Sequence, residues 1–96
     1  MKNYLGVELG STRIKGVVID EHFAPVESGD FQWESTYDQG IWTYDLADAR
    51  EGLCQVLAQL KDREHLAAAG ISGMMHGYLA FDKDWNLLVP FRTWQN

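Results

Sequence analysis

The stretch Leu5 to Asp20, LGVELGSTRIKGVVID, decides how the rest of the chain is organised. Leu5, Val7 and Leu9 alternate with Gly6 and Glu8, so a strand here puts three aliphatic side chains on one face and the Glu8 carboxylate on the other. Gly10 can take a positive φ, and without a Cβ it lets backbone N–H groups approach an anion. Ser11 and Thr12 add hydroxyl donors, and Arg13 and Lys15 open an apolar return strand. A hairpin tip with that inventory reads as a phosphate cradle, and Glu8 at its root is suited to hold a divalent cation through water. The same residues also satisfy an ordinary hairpin, whose turn favours small polar side chains.

Working outward, Asp20 to Pro25 reads as a turn in which Pro25 disfavours helix. Val26 to Glu34 alternates in part, with Phe31 and Trp33 on one face, and predicts a third strand antiparallel to the second. Three such strands form a meander. Ser35 to Gly40 reads as a loop. Asp45 then has the character of a helix N-cap, and Leu46, Ala49, Leu53, Val56, Leu57 and Leu60 fall on one helical stripe opposite Arg50, Glu51, Gln55 and Gln59. The expectation is a helix over Asp45 to Arg63 that covers one face of the sheet, with Cys54 packed beside the stripe. Ala67 to Ser72 predicts a buried strand of small residues, leading into a glycine-flanked loop from Gly73 to Gly77. Tyr78 to Asp82 and Leu87 to Pro90 read as a second hairpin around Lys83 to Asn86. The chain stops on FRTWQN, two aromatics and no cap, which leads us to expect a truncated domain over residues 1–96.

Composition narrows the function classes. The chain is 46% hydrophobic and 12% aromatic, as in a globular domain, and 96 residues support only a modest core. There is no bilayer-spanning apolar run and no signal-like h-region near the N-terminus, so a cytoplasmic location is the default expectation and no membrane partner is expected. One cysteine cannot form an internal disulfide, in keeping with a reducing compartment. A net charge of −6 with scattered Lys and Arg argues against nucleic acid as a partner.

Several familiar chemistries are excluded by spacing. The tip lacks the Gly-Lys-[Ser/Thr] ending of a P-loop, and no G-x-G-x-x-G follows a strand. Asp82 to Asn86 imitates the start of a calcium loop, but Leu87 stands where glycine is needed and Thr93 where a bidentate Glu belongs. His22, His65 and His76 are not spaced for a metal site. No nucleophile-elbow motif supports a hydrolase triad.

Two constellations remain, and both carry a family resemblance. Glu8-Leu9-Gly10-Ser11-Thr12-Arg13-Ile14-Lys15 resembles the first phosphate motif of the actin-like ATPases, usually Asp-x-Gly-Thr-[Ser/Thr]-x-x-[Lys/Arg]. Ile71-Ser72-Gly73-Met74-Met75-His76-Gly77 resembles the Ile-Ser-Gly-Gln-Met-His-Gly segment of xylulokinases. Pro90 to Asn96 is similar to the Pro-x-x-x-Trp-x-[Asp/Asn] that follows it. The three stand in family order, and the β-β-β-α-β succession with a further hairpin resembles the ribonuclease H-like α/β core. The chain thus resembles the N-terminal part of an FGGY-family carbohydrate kinase.

That resemblance implies an ATP-dependent transfer of the γ-phosphoryl group to a hydroxyl of a ketose or polyol, with Mg²⁺ as cofactor and no catalytic base inside these residues. It implies that Gly10, Ser11, Thr12, Arg13 and Lys15 border the ATP phosphates, and that Glu8 stands where the family has a metal-holding Asp. Met75 and His76 would meet the sugar, with Trp94 and Asn96 near the same pocket. The resemblance allows a homodimer for the full-length protein, and it leaves this piece alone without turnover. Glu8 is one methylene longer than Asp, and Met74 replaces a Gln common in the sugar segment. The first of these motivates an alternative, an actin-like ATP-binding regulator or inactive kinase homologue. A small interaction domain with no ligand is a third reading.

Overall fold

The structure is a computed structural model that describes residues 2–61, 65–74 and 76–96. β1 (Asn3–Leu9), β2 (Arg13–Ile19) and β3 (Pro25–Gln32) form the expected meander, and β6 (Leu66–Gly73) returns parallel to β1. The sheet order is β3-β2-β1-β6. In the antiparallel register Val7 faces Gly16, Glu8 faces Lys15 and Leu9 faces Ile14, so the alternation of the opening stretch sorts onto two faces. Leu5, Val7, Ile14 and Val18 are buried, whereas Glu8 and Lys15 are exposed on the opposite face.

The buried face is covered by α1 (Leu46–Ala58), which lies over β2 and β3. Asp45 caps it, its carboxylate accepting from the Ala47 N–H at 2.9 Å. Val56 and Leu60 are fully buried against the sheet together with Ile14 and Val18. Removing each such side chain from water contributes about 1.5–3 kcal/mol. Close approach depends on glycine on both sides of the interface: a Cβ at Gly16 would lie 2.7 Å from a Val56 methyl, and one at Gly52 would lie 2.5 Å from the Phe31 ring.

The helix is shorter than its stripe suggests. It ends at Gln59, whose backbone N–H is shared among the last carbonyls, and the expected end at Arg63 lies outside the described residues. The Gln59 side chain explains the stop. It bonds both backbone groups of Asp30 on the edge strand, at 3.1 and 2.9 Å, while the Lys61 N–H donates to the Glu27 carboxylate at 2.7 Å. The chain after α1 is thereby tied to β3 rather than to another helical turn.

Four further expectations are corrected. The segment after Ser35 is not a loop: β4 (Thr36–Asp38) and β5 (Ile41–Tyr44) form a hairpin, which β7 (Phe91–Arg92) extends to a second sheet in the order β4-β5-β7. β6 is not buried. It is a parallel edge strand in which only Leu66 packs against the core, and Ile71 is 76% exposed. Cys54 is exposed rather than packed. The second hairpin is reduced to one isolated bridge, Phe81 to Leu87, because the Asp82 carboxylate captures the Asp84 and Asn86 N–H groups and shapes the turn locally. Tyr78 bridges to Arg92 instead.

The two sheets meet in an aromatic cluster. Trp33 and Tyr44 stack with ring centroids 4.3 Å apart, and Phe91 packs 5.3 Å from Tyr44 and 6.3 Å from Trp33. With Ile14 and Val56 these residues form one of two core clusters. The cluster lies directly beneath the tip between β1 and β2.

Candidate functional site at the β1–β2 tip

The tip is held by its carbonyls. The Trp33 indole N–H donates to the Gly10 carbonyl at 2.8 Å, the Tyr44 hydroxyl to the Ser11 carbonyl at 2.8 Å, and the Trp33 backbone N–H to the Thr12 carbonyl at 3.0 Å. Burial raises the Tyr44 pKa above its ordinary value of 10.0, which keeps that hydroxyl protonated and able to donate. Gly10 has no positive φ; what its missing side chain permits is a tight turn. A Cβ there would sit 3.0 Å from the Arg13 carbonyl, to which the Gly10 N–H itself donates at 2.9 Å. The Gly10 amide is therefore committed within the turn, and the amides and hydroxyls of Ser11 and Thr12 are the donors left at the tip.

A cleft of about 500 Å³ opens beside it, lined by Glu8, Gly10 and Ser11 from the tip, Ser72 and Gly73 from the end of β6, and then Met74, His76 and Trp94. The parallel pairing of β1 with β6 brings these segments together. Glu8 lies level with Ser72 and Leu9 with Gly73, and the Met74 N–H extends the ladder to the Leu9 carbonyl at 2.9 Å. The chain then turns at His76, whose φ of 64° is in the left-handed region, where His is tolerated better than most side chains. A second cleft of about 360 Å³ lies on the other side of the tip. It is lined by Thr12, Trp33, Glu34, Ser35, Tyr44 and Gln95 among others, and it shares Ser11 and Trp94 with the first.

The residues singled out by the sequence thus separate into two groups. Glu8, Gly10, Ser11, His76 and Trp94 line one cleft, and Thr12 lines its neighbour. Trp94 is 55% exposed, with its indole available to both. Arg13 is paired with Asp30 on β3, and Lys15 stands beside Val17 on the open sheet face, so neither lines the two clefts at the tip. The Asn96 side chain is engaged with the backbone of Trp42 and Thr93. Met75 lies outside the described residues. Met74 packs half-buried against the aromatic cluster.

The sequence places Trp33 only on a strand face with Phe31 and assigns Tyr44 no role. No local signal marks them. Trp33 follows the last residue of β3 and Tyr44 ends β5, and only the meeting of the two sheets puts both under the tip.

Among the described residues no cluster of three or more His, Cys, Asp or Glu side chains is present. A magnesium ion does not need one, since it binds through one or two carboxylates, its own waters and substrate phosphates. Glu8 fits that requirement: its carboxylate lines the cleft and turns toward the tip, with Oε1 3.4 Å from where a Gly10 Cβ would stand.

The chain has the ribonuclease H-like fold of the actin-like ATPases, and sugar kinases are among the members of that class it is similar to. No protein-family model matches it. Over 97% of its length it is 24% identical to a xylulose kinase of Klebsiella pneumoniae, of which it covers 20%. Against the crystal structure of a xyloylose kinase from Brucella ovis it gives a TM-score of 0.86 at 26% identity, covering 96% of this chain and 21% of that one. A gluconate kinase from Lactobacillus acidophilus matches with a TM-score of 0.81 at 22% identity, over 97% of this chain and 20% of that one. The resemblance to FGGY-type sugar kinases stated from the motifs therefore holds across the whole chain, which spans about a fifth of the length of these relatives. No helix among the described residues is long and apolar enough to cross a membrane.

Proposed function

We propose that this chain is the N-terminal part of an ATP-dependent sugar kinase, and that it forms one wall of the cleft in which the γ-phosphoryl group passes to a ketose or polyol hydroxyl. The observation that carries this reading is the single cleft lined by Glu8, Gly10 and Ser11 on one side and by His76 and Trp94 on the other. Phosphoryl transfer asks a protein mainly for positioning and charge neutralisation, and these are the parts such a wall supplies.

Ser11 and Thr12 bind the terminal phosphates through backbone N–H and hydroxyl donors. Glu8 holds Mg²⁺ through water, and the ion when bound neutralises phosphate charge. His76 exchanges hydrogen bonds with a sugar hydroxyl, one ring nitrogen donating and the other accepting. Trp94 offers an indole face against the apolar side of the sugar. Arg13 and Lys15 contribute positive potential near the tip rather than direct contacts, since Arg13 is already paired with Asp30. The catalytic base and the adenosine-binding lobe belong to other parts of the protein, so these 96 residues alone do not turn over.

The test is ATP consumption by the full-length protein with a panel of pentuloses, hexuloses and polyols at varied Mg²⁺. Magnesium-dependent phosphorylation of at least one of them is the expected result. Nucleotide binding with no sugar response favours the alternative that Glu8 motivates, an actin-like regulator or inactive homologue. Turnover by the 96-residue chain alone contradicts its assignment as one wall.

A further inference from the structure

Resting on that reading, we infer that Trp33 and Tyr44 are positioning residues for the nucleotide phosphates, acting through the backbone of the tip. Three successive carbonyls, those of Gly10, Ser11 and Thr12, are each bonded by one member of this stacked pair. All peptide bonds here are trans, and in a trans peptide the C=O and the following N–H point in opposite directions. Drawing the Gly10 and Ser11 carbonyls toward the aromatic pair therefore turns the Ser11 and Thr12 N–H groups away from it, side by side. Two adjacent N–H groups presented from a glycine turn make a small anion-binding concavity. The pair acts through these three carbonyls, although both residues also line the second cleft beside Thr12.

The support is rigid for identifiable reasons. Trp33 is 6% and Tyr44 5% exposed, and both belong to the same core cluster as Ile14, Val56 and Phe91. Phe91 is also the start of the segment that carries Trp94, and the Thr93 N–H donates to the Trp42 carbonyl beside Tyr44 at 3.1 Å. The phosphate tip and the Trp94 segment are thus braced against one block of aromatic side chains.

Tyr44→Phe removes one oxygen and leaves the ring stack, so it isolates the bond to the Ser11 carbonyl. In the full-length protein we expect the KM for Mg-ATP to rise about fivefold, the effect of one net hydrogen bond, with the KM for sugar unchanged. The affinity for the non-hydrolysable analogue AMP-PNP, measured by calorimetry, should fall by the same factor while that for adenosine, which has no phosphates, stays constant. Trp33→Phe, which loses the indole bond to Gly10 and part of the ring volume but keeps an aromatic ring in the site, should show the same selectivity. It serves where Tyr44→Phe folds poorly. Equal losses for AMP-PNP and adenosine, or no loss for either, would overturn the inference. If the wild type binds AMP-PNP but phosphorylates no sugar, the kinase reading falls and a selective loss in Tyr44→Phe still supports this one. If the wild type binds no AMP-PNP, both fall.

Discussion

The side chain of Asn96 pairs with the backbone of Trp42 as another strand would: its Oδ1 accepts from the Trp42 N–H and its Nδ2 donates to the Trp42 carbonyl, each at 2.7 Å. A further bond of 3.2 Å to the Thr93 carbonyl uses its second amide hydrogen. The motif that sequence resemblance associates with sugar binding thus has a second use, as the clasp that holds the FRTWQN segment against β5. Asn96→Ala should lower stability by about 1–2 kcal/mol in urea unfolding, by leaving the Trp42 N–H without its partner, while the Trp42 and Thr93 carbonyls keep backbone N–H donors. A raised sugar KM with unchanged unfolding would instead return Asn96 to the substrate.

Gly52→Ala sets helix propensity against packing. Alanine gains about 1 kcal/mol in a helix interior. Its Cβ, however, would stand 2.5 Å from the Phe31 ring and 2.7 Å from an Ile14 methyl, the latter on a fully buried side chain. Overpacking of this kind costs about 1–3 kcal/mol, so the net effect expected is a fall in the thermal midpoint. A rise would show that α1 can lift from the sheet freely.

Acid should loosen two turns before it reaches the core. The Asp20 carboxyl lies below its ordinary pKa of 3.8 because the Ala24 and His22 N–H groups bond its ionised form. Asp82 is likewise lowered, chiefly by the backbone and side chain of Asn86. A folded-state pKa below the unfolded one means that the stabilisation is complete above the unfolded value and is lost as pH falls through the folded one. Amide exchange at Ala24 and Asn86 should therefore accelerate, beyond its intrinsic pH dependence, below about pH 4. Asp20→Asn and Asp82→Asn should remove that acid-dependent component at their own turns only.

His76→Asn tests the proposed sugar side of the cleft without introducing strain, since Asn also tolerates a left-handed φ. The expected result is a sugar KM raised about tenfold with the KM for Mg-ATP unchanged, the cost of replacing one well-placed hydrogen bond to a hydroxyl. A change confined to the ATP parameters would place His76 on the phosphate side.

Much of the fold is legible along the chain because its first half is built from neighbours. The alternation of Leu5, Val7 and Leu9 around Glu8, the short turn at Gly10, and the 3.6-residue stripe from Leu46 to Leu60 are local patterns, and local backbone chemistry turns them into a meander and a capped helix. The motifs around Glu8 and His76 are legible for the same reason, as runs of contiguous residues. What contiguity does not carry is which strands pair at a distance. The short β4, β5 and β7 have too few residues to show a period; β4 and β5 pair locally across the Gln39-Gly40 turn, whereas β7 exists because Arg92 and Phe91 find Thr43 and Tyr44 nearly fifty residues away. The exposure of Ile71 likewise follows from its strand ending at a sheet edge. Sequence by itself determined the meander, the helix and the two chemical motifs. Tertiary structure alone decided that β6 lies parallel to β1, bringing Glu8 and His76 to one cleft, and that Trp33 and Tyr44 meet beneath the tip. Both depend on hydrogen bonds and ring contacts between segments that have no local reason to know of each other.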